Sequence, residues 1–190
     1  MLESEYLKCC PDDQWSEFVD GKIVIHDPPT TEHALLSSFL FHLMSLFAED
    51  AEWKVLRGSY QVRLAKNRRS PDIMLIRPSR SQILLPDYVN GAPDLIFEIV
   101  PPDSQSRDRR EKFLEYQRAG LGEYWIVDPL SKTVEAYRLA RDGKFSLILE
   151  KDGRIRSTVL PKFYLKPDWL WREKLPKVSA LLREINSAKR

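Results

Sequence analysis

Two short apolar runs, each opened by Pro-Asp, set the narrowest limits on how this chain can fold: "PDIMLI" from Pro71 and "PDLIFEIV" from Pro93. Both are short for a core helix and lack a wet face, so each reads as a strand covered on both sides, at the centre of an α/β sheet. Proline is tolerated at the mouth of a strand, where its missing N–H falls as the ladder begins. The second run carries a glutamate, Glu98, in its body. Strand side chains alternate, so Asp94, Ile96, Glu98 and Val100 share one face, and Leu95, Phe97 and Ile99 the other. A carboxylate buried there is unfavourable by several kcal/mol unless a cation or a basic partner offsets it.

The rest of the chain supplies that sheet with partners. "FVDGKIVIHDPP" places Asp20-Gly21 between two apolar runs and predicts an N-terminal hairpin. Thr30 or Thr31 then caps a helix with apolar residues at Leu35, Leu36, Phe39, Leu40, Leu43, Leu46 and Phe47. "WKVLRGSYQVRLAKN" predicts one or two strands, and "SQILLPDYVNGA" a connecting loop. After "PDLIFEIV", Ser104 or Ser106 caps a helix that runs to about Arg118 and stops at Gly120. "EYWIVDP" is the next strand, with Trp125 expected in the core, and "TVEAYRLA", "KFSLILEK" and "RIRSTVLP" form a hairpin-like set. Strand, helix and strand alternate in the middle third, with extra β structure towards both ends. The expectation is one domain over 190 residues, α/β (mixed α+β) in class.

Charge narrows the function classes. The 30 basic and 28 acidic residues leave a net charge of +2, which by itself points to no partner. Its distribution is uneven: acids dominate the first quarter, while Lys54, Arg57, Arg63, Lys66, Arg68, Arg69, Arg77 and Arg80 face Asp72 alone in the next stretch. That basic block is either a face for a phosphate backbone or a solvated strand and loop. No apolar run reaches the length expected of a membrane helix, and "MLESEYLKCC" lacks the basic flank of a signal peptide, so the expectation is no membrane and a cytoplasmic location. Cys9 and Cys10, adjacent in sequence, are expected as reduced thiols.

The candidate site follows from the buried acids. If the two runs pair side by side, Asp72 supplies a second oxygen ligand beside Glu98, which suits a few-carboxylate, water-rich Mg²⁺ site. The next helix offers a basic partner, because Asp108, Lys112 and Tyr116 form one stripe at intervals of four. Lys112 either serves Glu98 or makes a surface ion pair with Asp108. Asp94 is a ligand, a support or a strand-opening cap.

"PDIMLI" and "APDLIFEIVPPDSQSRDRREKFLEYQRAGLGEYWIVDP", with "WSEFVDGKIVIHDPPTTEH" upstream and "STVLPKFYL" downstream, resemble the Uma-type family of bacterial endonucleases. That family is a branch of the restriction-endonuclease-like PD-(D/E)XK superfamily, and the likeness covers about residues 15–170. It implies a four-stranded mixed sheet flanked by helices, Mg²⁺- or Mn²⁺-dependent cleavage of a phosphodiester in nucleic acid, DNA foremost, and a homodimer. Asp72 matches the aspartate of the Pro-Asp element and Glu98 its acidic partner. Val100 stands where the usual lysine would be, and Lys112 matches the helix lysine that replaces it. Glu17 and His33 match recurrent polar positions, and Glu17 is expected within reach of the metal or its waters. Pro101-Pro102-Asp103 departs from the family's Ser-Pro-Ser. Arg57, Arg63, Lys66, Arg68 and Arg69 are the expected backbone-tracking residues. The rival readings are an inert nucleic-acid-binding or dimerisation module of the same fold, and a metal-dependent hydrolase of another phosphoester.

Overall fold

The computed structural model describes residues 1–9, 16–58, 60–100 and 106–187, without the side chains of Cys9 and residues 106–108. The Cys9-Cys10 pair, the Ser104 cap and the Asp108 side chain therefore lie outside the described residues.

The two Pro-Asp runs form the centre of a six-stranded sheet. Strand β6 (Ile73–Ile76) lies antiparallel to β8 (Leu95–Ile99), in the register Ile73–Phe97, Met74–Ile96, Leu75–Leu95. Beyond β8 come β9 (Glu123–Asp128), parallel to it, then β10 (Thr133–Leu139) and β11 (Phe145–Leu147); β3 (Lys54–Arg57) closes the other edge. The parallel β8–β9 pair needs a crossover, and α3 (Ser106–Ala119) provides it, ending at Gly120 with a positive φ of 81°.

The alternation read from "PDLIFEIV" sorts the core into two layers. Leu95, Phe97 and Ile99 pack with Trp125, Ile73 and Leu75 against α2 (Thr31–Ala48) and α4 (Val178–Ser187). Ile96 packs on the opposite side with Met74, Ile126, Tyr124 and Tyr116 of α3. That side is covered as well by a second sheet, in the order β2 (Lys22–Ile25), β1 (Ser16–Val19), β5 (Asn67–Arg69), β4 (Gln61–Leu64), β7 (Tyr88–Asn90). Its β1–β2 hairpin turns on Asp20 and Gly21, both at positive φ, as a two-residue loop requires.

Several expectations change. The central sheet has six strands where the resemblance implied four. The loop expected over "SQILLPDYVNGA" contains a 3-10 turn at Pro78–Ile83 and strand β7, because its hydrogen bonds to β4 are long-range and leave no periodic signal. "RIRSTVLP" contributes only Ile155–Arg156 (β12), paired with Tyr164–Leu165 (β13). Segment 157–159 instead folds onto Glu123, which is fully buried and accepts from Trp125 Nε1, the Ser157 and Thr158 hydroxyls and the Thr158 and Val159 amides. Among the described residues, Thr31–Ala51 does have the length and apolar content of a membrane span, with a hydropathy of 1.2, contrary to the expectation. Leu36, Leu40, Leu43 and Met44 of that stretch are buried in the core, the usual use of such a helix inside a domain.

Candidate active site

Continuing the β6–β8 register one step past Ile73–Phe97 sets Asp72 beside Glu98, on the face that looks towards α3. Both carboxylates are buried. Asp72 is held by two donors: the Ile99 amide gives to Oδ2 at 2.7 Å, and His33 Nε2 stands 3.0 Å from Oδ1. His33 lies in the first turn of α2, where its own amide donates to the capping hydroxyl of Thr30 at 3.2 Å.

Glu98 is met from α3. Lys112 and Tyr116 are one turn apart, so both reach the same carboxylate: Lys112 Nζ is 3.2 Å from Oε2 and the Tyr116 hydroxyl donates to Oε1 at 2.8 Å. Lys112 also lies 3.5 Å from Glu17 Oε1, bridging two acids. Glu17, fully buried in β1, is gripped further by Arg69 at 2.9 Å, the Ser70 amide at 3.0 Å and His26 at 3.3 Å. Arg69 extends the chain to Glu115 at 2.7 Å.

This arrangement splits the acids electrostatically. Burial raises the Glu98 carboxyl, Lys112 opposes it, and the negative charges of Asp72 and Glu17 add to the rise, giving a net position of about 7. Burial raises Glu17 too, but Lys112, His26 and Arg69 outweigh it and hold Glu17 far below the usual carboxylate range. His33 is pulled down by burial and lifted more strongly by Asp72 and Glu98, so it lies above the ordinary imidazole value. Burial and the neighbouring acids together leave Glu98 the most weakly acidic carboxyl of the group, so a cation arriving beside it would favour its ionised form.

A small hard cation suits these oxygens. Among the described residues each oxygen of Asp72 and Glu98 has one donor, which leaves a lone pair for a further ligand. Among the described residues, no group of three or more His, Cys, Asp or Glu side chains forms a closed cage, so the donor set suits an ion that keeps most of its waters.

The structure brings Asp72, Glu98, Lys112, Tyr116, Glu17 and His33 into one network. It takes Asp94 out: at the far end of β8 the Asp94 carboxylate accepts from the Arg77 amide and side chain at 2.9 and 2.6 Å and from Arg80 at 3.1 Å. This is a strand-opening clamp. The basic block divides: Arg68 and Arg69 are buried in ion pairs, whereas Arg57, Arg63 and Lys66 keep much of their side chains in water. Arg68 is buried on Glu3 at 2.7 Å and over the Tyr88 ring, Arg69 is buried on Glu17 and Glu115, Arg63 pairs with Glu3 and Lys66 with Asp20. Arg57 is exposed beside the Phe41 ring. Sequence reasoning missed His26 and Glu115. The Asp20-Gly21 turn could have found His26, since Glu17 opposes Val24 and its diagonal neighbour on the same face is residue 26. Glu115 lies three residues from Lys112 on α3, again one face.

A mixed sheet with two carboxylates at the end of adjacent central strands and a lysine supplied from the crossover helix defines a restriction-endonuclease-like protein. The fold matches the crystal structure of "a putative nuclease belonging to DUF820" from Anabaena variabilis, with a TM-score of 0.75 and 20% identity over 90% of this chain and 97% of that one. The Uma2 family, described as "Putative restriction endonuclease", matches residues 3–174, and the chain belongs to it. The match reaches further at the N-terminus than the motifs alone. No curated protein matches the chain.

Proposed function

We propose that this protein is a divalent-metal-dependent endonuclease that hydrolyses phosphodiester bonds of nucleic acid, DNA foremost, using Asp72, Glu98 and Lys112. The observation that supports it most is the side-by-side placement of Asp72 and Glu98, with Glu98 joined to Lys112 at 3.2 Å inside an otherwise apolar strand pair. Such a grouping is unfavourable for the fold alone, because three ionisable groups are withdrawn from water together.

Asp72 and Glu98 would hold Mg²⁺ or Mn²⁺. When bound, such an ion acidifies a water and polarises the scissile phosphate. His33 and the Ile99 amide fix the Asp72 carboxylate, and Tyr116 fixes that of Glu98, so both are aimed before substrate arrives. Lys112, held at the Glu98 carboxylate, brings a positive charge to where the attacking oxygen or the charge growing on the phosphate would be stabilised. Glu17 keeps that ammonium in place.

The test is cleavage of supercoiled plasmid and of single-stranded DNA in Mg²⁺, Mn²⁺ or EDTA, with Asp72→Ala and Glu98→Ala alongside. Metal-dependent cleavage lost in both variants is expected. Cleavage that survives EDTA removes the metal, and binding without cleavage by the wild type favours the inert module.

A further inference from the structure

Away from these acids, at the opposite end of the sheet, lies a cavity with basic residues in its walls. It is about 390 Å³ in volume, within the range of small-molecule sites, and is lined by Arg154, Arg156, Ser157, Lys162, Phe163, Tyr164 and Ile185. Segment 157–159, which forms one wall, is anchored on Glu123 at the start of β9, whereas Glu98 sits towards the end of the parallel strand β8.

Two features make the cavity more than a dent. None of Arg154, Arg156 and Lys162 has a carboxylate within 4.0 Å among the described residues, in a fold where most other buried or half-buried cations are paired. Second, Tyr164 is only 4% exposed, yet among the described residues its hydroxyl has no hydrogen-bond partner, and neither has the buried Nε of Arg154. An unmade hydrogen bond at a buried polar atom is destabilising, and native structures rarely retain two side by side. Arg154 lies over the Tyr164 ring, 4.8 Å from its centroid, so both orphan donors belong to one locus.

We infer that this cavity binds a phosphate group. The donors are cationic or phenolic, which suits an oxyanion. The aromatic surfaces are already used: Phe163 packs on Phe47 and Trp125, and Tyr164 has Arg154 on its face and Trp169 beside it. With both rings already engaged by neighbours, the cations dominate and the site recognises the phosphate itself. Arg154 Nε and the Tyr164 hydroxyl bind from within, and the exposed Arg156 and Lys162 bind from the rim. A free phosphate and a phosphate of a nucleic acid share this chemistry.

The experiment is a calorimetric titration of the full chain with inorganic phosphate in EDTA, which removes any route through a metal at Asp72 and Glu98. Binding is expected, at least about tenfold weaker in Tyr164→Phe and in the double variant Arg156→Gln/Lys162→Gln, and unchanged in Glu98→Ala. The double variant alters only exposed residues, so misfolding does not confound it. Without phosphate, Tyr164→Phe melts about 2–4 °C above the wild type, because an unpartnered hydroxyl is removed. Competition by an unphosphorylated oligonucleotide identifies the backbone as the source; competition only by its 5′-phosphorylated form identifies a terminal phosphate. The inference is overturned if the wild type does not bind phosphate, if the double variant binds as well as the wild type, or if Tyr164→Phe melts lower. Each result is read without cleavage, so failure here leaves the nuclease proposal standing.

Discussion

Lys112 Nζ stands 3.2 Å from Glu98 Oε2, although the two residues are 14 positions apart and lie on different elements. Glu98 is delivered by a strand laddered between β6 and β9, and Lys112 by the helix that must follow to make the next strand parallel. Replacing Lys112 by Met removes the ammonium shared by Glu98 and Glu17. The expected result is cleavage reduced by at least about a hundredfold, the scale of a lost electrostatic stabiliser. Its melting temperature should fall at pH 8 and fall less at pH 5.5, where Glu98 is protonated and only Glu17 still misses the ammonium. A Lys112→Met protein with full activity would confine Lys112 to structure.

Asp94 separates structural from chemical acids on the same strand. It is 2% exposed and clamps the Arg77 amide and two guanidiniums that are themselves partly in water. Asp94→Ala should therefore destabilise by about 1–3 kcal/mol, below the full value for a dry pair, while the folded protein keeps wild-type cleavage and metal affinity. Denaturant melts with activity measured well below the transition midpoint check both halves.

How much of this was legible in the sequence depends on range. The Pro-Asp openings, the alternation through Phe97 and Glu98, the Asp20-Gly21 turn and the Gly120 stop are local signals, and each gives the element it predicts. The charge pattern was legible too, but its meaning needed the fold. An acidic first quarter and a basic block read as separate surfaces along the chain; in space they meet, Glu3 on Arg63 and Arg68, Asp20 on Lys66, and Glu17 on Arg69. Two members of the basic block, Arg68 and Arg69, are thereby drawn into buried ion pairs, while Arg63 and Lys66 pair near the surface. No one-dimensional pattern distinguishes these outcomes, because complementarity between segments some 50 residues apart has no period. The same holds for β7 and for the Glu123 anchor, whose partners come from residues 157–159.

Gly122 offers a test of the parallel pair that carries the site. A Cβ there would come within 2.7 Å of the Asp94 carbonyl oxygen and 3.2 Å of a Val159 methyl. The first contact is backbone and cannot swing away, so β9 must shift against β8. Gly122→Ala should destabilise by about 1–3 kcal/mol, whereas Gly153, with open space around its would-be Cβ but a positive φ of 67°, should respond to alanine through backbone strain alone. Paired urea melts of the two variants read the difference, with the loss at Gly122 accompanied by faster exchange of β9 amides.

The raised position of Glu98 makes stability and metal binding move in opposite directions with pH. In the folded protein Glu98 titrates at about 7, against 4.5 for an unperturbed glutamate, so between those values the native state holds a proton that the unfolded state has released. Stability therefore falls as pH rises through this window. His33, whose folded value also lies above the ordinary 6.5, adds to the fall at its upper end. Glu17 acts the other way, but only in acid, because its depressed carboxyl loses its contribution as pH drops below 4.5. In EDTA, then, the melting temperature should decline from about pH 5 to pH 8. A divalent cation competes with the proton on Glu98, so the increment that Mg²⁺ or Mn²⁺ adds to the melting temperature should be small at pH 5.5 and grow towards pH 8. Glu98→Gln tests both at once: its EDTA profile should be flatter, and its metal increment should be lost at every pH. A metal increment that survives this substitution would assign the cation to other ligands.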